Sequence, residues 1–318
     1  MALSDLVVFQ EYAYSAFQEL LDYNTALFNQ ATRGGFVLQG GAHRGDFSET
    51  AFWKRISGLV KRRDAYGAGA VGEKVLEMDS KTSVKVAAGI APVRIDPGMM
   101  KWIQKSPEEA GAIVGRQMAE DDMNDKLNVA FLAFRTAIEN VAAVYHDAGA
   151  VNASLGVLNS ARAKLGDRSS DLLCWVCHSK IIFDLYGTAI TNANTLFQFG
   201  NIKITHDGFG NPFIVTDAPS LLVAGNPDTY RTLGLTSGAI VVEQGNEFTD
   251  NLDTKNGDEN IITTYQAEWT FQLAVKGFSW DTGAGGKSPN DAAIGTAANW
   301  DQIMTSHKDL AGISVKTN

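Results

Sequence analysis

Cys174, Cys177 and His178 stand in the order C-x-x-C-H, the thioether attachment pattern of a c-type haem, and the two cysteines alone also suit a redox pair or half of a zinc site. Each of those chemistries needs a further part. Haem attachment needs an oxidising space, and the opening residues MALSDLVVFQEYAYSAF carry Asp5 and Glu11 in place of the basic region, apolar core and small-residue cleavage site of an export signal. Zinc needs a fourth ligand, and no second cluster with ligand spacing accompanies the first. A thioredoxin-like pair belongs at a helix N-terminus after a strand, whereas the spacing here predicts a pair inside a helix. Leu173, Cys177, Ile181 and Leu185 recur every four residues, and Leu172, Val176, Phe183 and Tyr186 widen the stripe. The expected role of both cysteines is therefore packing, in a helix that follows a corner at Gly166 capped by Asp167, Ser169 or Ser170.

Three other groups invite a chemical reading. Glu120, Asp121, Asp122 and Asp125 resemble a cation site, but on a helix such carboxylates more commonly face water, with Arg116 and Lys126 in pairing distance. His206 beside Asp207 has no G-x-S-x-G nucleophile turn to serve, and Asp207, Gly208, Gly210 and Asn211 read as a hairpin turn. The run GAGGKS ending at Ser288 looks like part of a phosphate loop, yet the position of that motif's first glycine is Asp281, so a plain loop is expected. No catalytic residue, metal ligand or cofactor site is assigned, and no enzymatic activity is expected.

The elements around these residues say more. The chain has 318 residues, is 45% hydrophobic and 20% charged, and carries a net charge of −9, so it is expected to fold as a soluble globular protein whose average surface repels nucleic acid. Two cysteines in such a length imply stabilisation by packing rather than disulfides. Leu3 to Asn29 reads as a helical arm, followed by a Gly-rich connector from Gly34 to Gly45. Phe52, Ile56, Leu59 and Val60 predict a short helix with Lys61, Arg62 and Arg63 at its C-terminal end. Val75 to Met78 and Val84 to Ile90 predict a hairpin turning through Asp79, Ser80 and Lys81. Ser106, Pro107 and Glu109 make a helix start, and the apolar spacing beyond them predicts one helix to Tyr145, about 60 Å long. Asn201 to Thr205, Phe213 to Thr216 and Ala239 to Gln244 read as strands of an α+β lobe. From Ile261 to Gly277 the alternation is strict, giving a strand of about 55 Å. A rod and a ribbon of matched length predict an elongated helix-on-sheet plate.

In this order the pieces resemble the major capsid proteins of tailed bacteriophages, the Hong Kong 97-type shell fold. The likeness is strongest in KLGDRSSDLLCWVCHSKIIFDL, and SVKVAAGIAPVRI, GNPFIVTDAP and the aromatic return strand ending in KGFSWD share it. The resemblance implies an α+β fold with an N-terminal arm (1–63), an extended two-stranded E-loop (64–98), a peripheral domain with a long spine helix (99–152), an axial α+β domain (153–245), and return strands of the peripheral domain with the C-terminal segment (246–318). It also implies a structural protein that assembles as hexamers and pentamers into the icosahedral head enclosing double-stranded DNA, without sequence-specific binding and without a membrane. In that reading the arm crosses beneath one neighbour and the hairpin lies on another. Scaffolding, portal and decoration proteins are the implied partners, and the virion, assembled in the bacterial cytoplasm, the implied location. An encapsulin-like compartment uses the same fold and stands as the alternative. A haem or redox protein using Cys174, Cys177 and His178 is the alternative of a different class.

Overall fold

The computed structural model describes residues 3–41, 45–56, 58–96, 106–186, 195–199, 202–206, 211–245, 247–257, 259 and 261–318. Helix α1 (Leu3–Ala31) buries Phe9, Ala13, Phe17, Leu21 and Phe28, a stripe spaced mostly by fours, and leaves Glu11, Glu19 and Tyr23 in water. Helix α2 (Pro107–Glu139) starts as its sequence requires: Ser106 Oγ accepts the Glu109 N–H at 3.3 Å, with Pro107 at the first position. Its 33 residues span about 50 Å. The helix stops short of Tyr145 because the chain turns at Val141, whose carbonyl accepts the Val144 N–H. The turn still buries Val144, which is why the apolar spacing runs on past the helix end.

Seven strands form the first sheet: β1 (Phe36–Gly40), β2 (Phe47–Trp53), β3 (Met78–Gly89), β4 (Val93–Ile95), β12 (Ile240–Gln244), β13 (Thr249–Lys255) and β14 (Ile262–Val275). The order is β1-β12-β14-β3-β2, with β13 and β4 flanking the first half of β14. As the alternation requires, Tyr265, Ala267, Trp269, Phe271, Leu273 and Val275 are buried while Gln266 and Glu268 are exposed. The helices α1 and α2 lie over this apolar face: Phe9, Ala13, Phe17 and Leu21 join Met118 and Ala119 around Tyr265, Ala267 and Trp269. The two helices approach so closely that a Cβ at Gly111 would sit 2.5 Å from the Phe9 carbonyl oxygen, and one at Gly115 2.2 Å from that of Ala13. The N-terminal helix is thus packed on its own chain.

The second sheet contains β5 (Tyr145–Asp147), β6 (Leu172–Cys177), β7 (Thr195–Phe199), β8 (Ile202–His206), β9 (Pro212–Val215), β10 (Leu222–Val223), β11 (Thr229–Thr236) and β17 (Gly312–Thr317). Their order is β5-β17-β11-β6-β9-β8-β7, with β10 on β11. Helices α3 (Leu155–Arg162) and α4 (Ser179–Tyr186) accompany it. A ribbon of β15 (Phe278–Trp280) and β16 (Trp300–Gln302), with the short α5 (Asp291–Ile294), completes the fold.

Four expectations are corrected. The segment Leu172–Cys177 is a strand, and the helix begins only at Ser179. Phe52 and Trp53 end β2, and none of the described residues from 54 to 63 is helical, so Lys61, Arg62 and Arg63 close no helix. Asp79, Ser80 and Lys81 lie within β3 and pair with Phe52, Ala51 and Thr50, so the hairpin is β2–β3, joined by the long excursion 54–77. Strand β12 belongs to the first sheet, between β1 and β14, and not to the lobe built on β6 and β11.

Candidate functional site

Cys174 and Cys177 are three apart on one strand, so their side chains leave opposite faces of the sheet and neither a disulfide nor a shared metal ion can join them. Both are fully buried. Burial pushes the Cys174 thiol up to about 12 and the Cys177 thiol higher still, so neither is a nucleophile near neutral pH. Cys174 fills the space over the connector: a Cβ at Gly35 would lie 3.0 Å from its sulfur. The packing role read from the sequence holds, in a strand instead of a helix.

His178 leaves the strand and organises the start of α4. Its Nδ1 accepts the Lys180 N–H at 3.2 Å, and its Nε2 lies 3.4 Å from Asp217 Oδ1, which also accepts the Ser179 N–H at 3.2 Å. The ring sits 5.0 Å from that of Tyr230. The C-H-S segment and the V-T-D-A-P segment, far apart in sequence, therefore meet as one joint. The next residues tie that joint to the spine helix: the Ser220 N–H donates to Asn128 Oδ1 at 3.0 Å, and Arg135 Nη1 donates to the Ser220 carbonyl. Upstream, Gly166 takes a φ of 58° that favours glycine, and the corner is held by ion pairs of Asp167 with Lys308 and of Arg168 with both Asp171 and Asp309. The L-G-D corner and the H-S start are thus scaffolding for the second sheet.

The acidic run on α2 divides. Glu120 and Asp121 face water as expected, but Asp122 is buried with Lys126, whose ammonium donates to Asp122 Oδ2 and Gln244 Oε1 and lies 5.9 Å from the Phe271 ring centre. Burial pushes the Asp122 carboxyl up and the Lys126 ammonium down, and the attraction between them opposes both shifts. Among the described residues no group of three His, Cys, Asp or Glu side chains is placed to hold a metal. The GAGGKS loop wraps Trp280, whose indole N–H donates to the Gly286 carbonyl at 3.0 Å, and Lys287 pairs with Asp46 at 2.8 Å. His206 closes β8, and Asp207 to Gly210 lie outside the described residues.

The surface itself is the feature that needs an explanation. Among the described residues from Lys54 to Glu77 there is no regular secondary structure and almost all lie in solvent, with Val60 95% and Tyr66 98% exposed and Leu59, Val71, Val75 and Leu76 exposed as well. Its root is held near the L-G-D corner, where Arg55 reaches Asp309 at 3.5 Å. So many apolar side chains in one uncovered segment mark an interaction surface. Sequence periodicity assigns Leu59 and Val60 to a helix face, whereas both are exposed and outside any helix. Among the described residues no helix is long and apolar enough to cross a membrane.

The family model described as major capsid protein 13-like matches residues 5–314. A search of the curated proteins finds no match. Among solved structures, the capsid asymmetric unit of cyanophage Pam1 aligns with a TM-score of 0.53 at 10% identity, covering 89% of this chain and 88% of that one. A chain of Mycobacterium phage Cain aligns at 0.54 and 8% identity, and one of Mycobacterium phage Bobi at 0.52 and 11%, each covering 91% of this chain and 90% of its own. These likenesses establish the α+β Hong Kong 97-type fold over nearly the full length. With the family model matched from residue 5 to residue 314, the chain belongs to the major capsid protein 13-like family, the coat proteins of bacteriophage heads.

Proposed function

We propose that copies of this coat protein join as hexamers and pentamers into a closed icosahedral head around double-stranded DNA, and that the protein performs no catalytic step. The observation that carries the reading is the segment 54–77, exposed and apolar, which gains cover only from another subunit. The two-stranded β2–β3 stem would project it onto a neighbour, while the sheet of β6 and β11 would meet its equivalents around the capsomer centre. Many modest contacts per subunit then stabilise a shell that no single interface would hold. The net charge of −9 keeps densely packed DNA from adhering to the wall. Scaffolding, portal and decoration proteins complete such a head, which is assembled in the bacterial cytoplasm and persists as the virion.

Sedimentation and particle imaging of the purified protein test this reading. The wild-type chain should form closed shells, alone or with its scaffold. A variant with residues 58–74 replaced by a short Gly-Ser turn should stay folded and unassembled, since that stretch has few contacts with its own subunit. Persistent monomers of the wild-type chain in both conditions would overturn the shell, and shells formed by the shortened variant would overturn the part given to the loop.

A further inference from the structure

Two surfaces of the molecule are matched in charge and hydrophobicity but do not touch in one chain. In the exposed loop, Leu59 and Val60 are followed directly by Lys61, Arg62 and Arg63, all in solvent and with no acidic partner among the described residues. Between β3, β14, α2 and the start of α5 lies a groove of about 970 Å³, and no residue of that loop lines it. Its floor includes Val129 and Trp269, and its rim carries Asp125, Glu268 and Asp291. Desolvation by the groove walls, then the neighbouring Asp291 and Asp122 carboxylates, push the Asp125 carboxyl above its ordinary value, and Lys126 opposes them. Glu247, on the same rim, is already engaged by Lys85 at 2.5 Å. The Trp269 indole N–H is buried beside Asp122.

We infer that this groove receives the Leu59–Arg63 stretch of a second copy of the chain, with the three cations against Asp125, Glu268 and Asp291 and the two apolar side chains over Val129 and Trp269. The inference rests on the shell reading and names the receptor of its exposed loop. Subunits of charge −9 repel one another on average, so a locally basic limb meeting an acidic groove supplies both attraction and register. Loop into groove is a heterologous contact, the kind that closes a ring of copies.

Charge exchange tests it. Wild-type protein fixes the reference, and its failure to form shells would count against the shell reading itself. Lys61→Glu with Arg62→Glu and Arg63→Glu should lower the shell yield by at least about tenfold at low salt. Asp125→Lys with Asp291→Lys should do the same, and the combined five-fold variant should recover most of the wild-type yield. Asp125→Asn with Asp291→Asn, a milder pair, should show an intermediate loss should the lysine pair misfold by circular dichroism. Unchanged assembly of the triple variant would overturn the assignment, including the case in which only nucleic-acid retention falls. So would a folded combined variant that stays as defective as its parents, or unchanged assembly of the asparagine pair.

Discussion

Burial fixes what Cys174 and Cys177 can do. An unfolded thiol loses its proton near the ordinary value of 9.0, whereas folded Cys174 holds its proton until about 12 and Cys177 beyond that. Above about pH 9 the unfolded chain therefore binds fewer protons than the folded one, and stability falls as pH rises through that window. Cys174→Ala with Cys177→Val should flatten the alkaline slope of denaturant midpoints while costing about 1–2 kcal/mol at neutral pH. Alkylation with iodoacetamide, followed by mass spectrometry, should label neither thiol at neutral pH until denaturant is added. The packing role was legible because cysteine behaves as a small hydrophobe. The backbone was not, because a strand buried on both faces reads as a continuous apolar run that joins the helix after it into one false stripe. Asp122 escaped notice for a related reason: nothing in a run of four acids shows which one turns inward. Its removal is the sharper test, since Asp122→Ala leaves the buried Lys126 charge unmatched and should cost the subunit about 3–5 kcal/mol in chemical denaturation. Asp122→Leu with Lys126→Met should come close to neutral by the same measurement.

At the scale of elements, the crossing of α1 over α2 makes a prediction of unusual sign. Alanine is the better helix former by about 1 kcal/mol, so Gly115→Ala on an open helix would stabilise. Here the added Cβ meets the Ala13 carbonyl at 2.2 Å, a main-chain atom that yields only if the helices part. Gly115→Ala should therefore lower stability by about 1–3 kcal/mol, and Gly115→Val by more, read as a drop in melting temperature. Limited proteolysis should release α1 early in both variants. The long elements were legible for a plain reason: α1, α2 and β14 each carry one period over many residues, and Ser106 with Pro107 marks the start of α2. Their partners were not. Strand β3 pairs with β2 across the excursion 54–77, and β12 pairs with both β1 and β14, contacts set by tertiary packing that leave no local turn signal. Asp79-Ser80-Lys81 carries turn-like residues, yet sheet pairing with β2 overrides that local preference.

The whole molecule divides into a plate that is finished and a limb that is not. The two helices and two sheets bury one large core and a smaller one around Tyr265 and Trp269, so amides of α2, β14 and β11 are held by the global stability of the subunit. Among the described residues from Lys54 to Glu77, main-chain groups have few partners of their own and nearly all side chains lie in water. In an unassembled subunit, hydrogen exchange over 54–77 should approach the rate of an unstructured chain while the centre of β14 stays protected. On closing the shell, protection should rise over 54–77, and over the Trp269 groove if the loop of a neighbour enters it, with little change in β14 beyond. Added salt should weaken the gain, because charges on exposed limbs are screened over about 8 Å at physiological ionic strength. A limb already protected in the isolated subunit would mean that its apolar side chains find cover at home, and the physical reason for assembly through it would be gone.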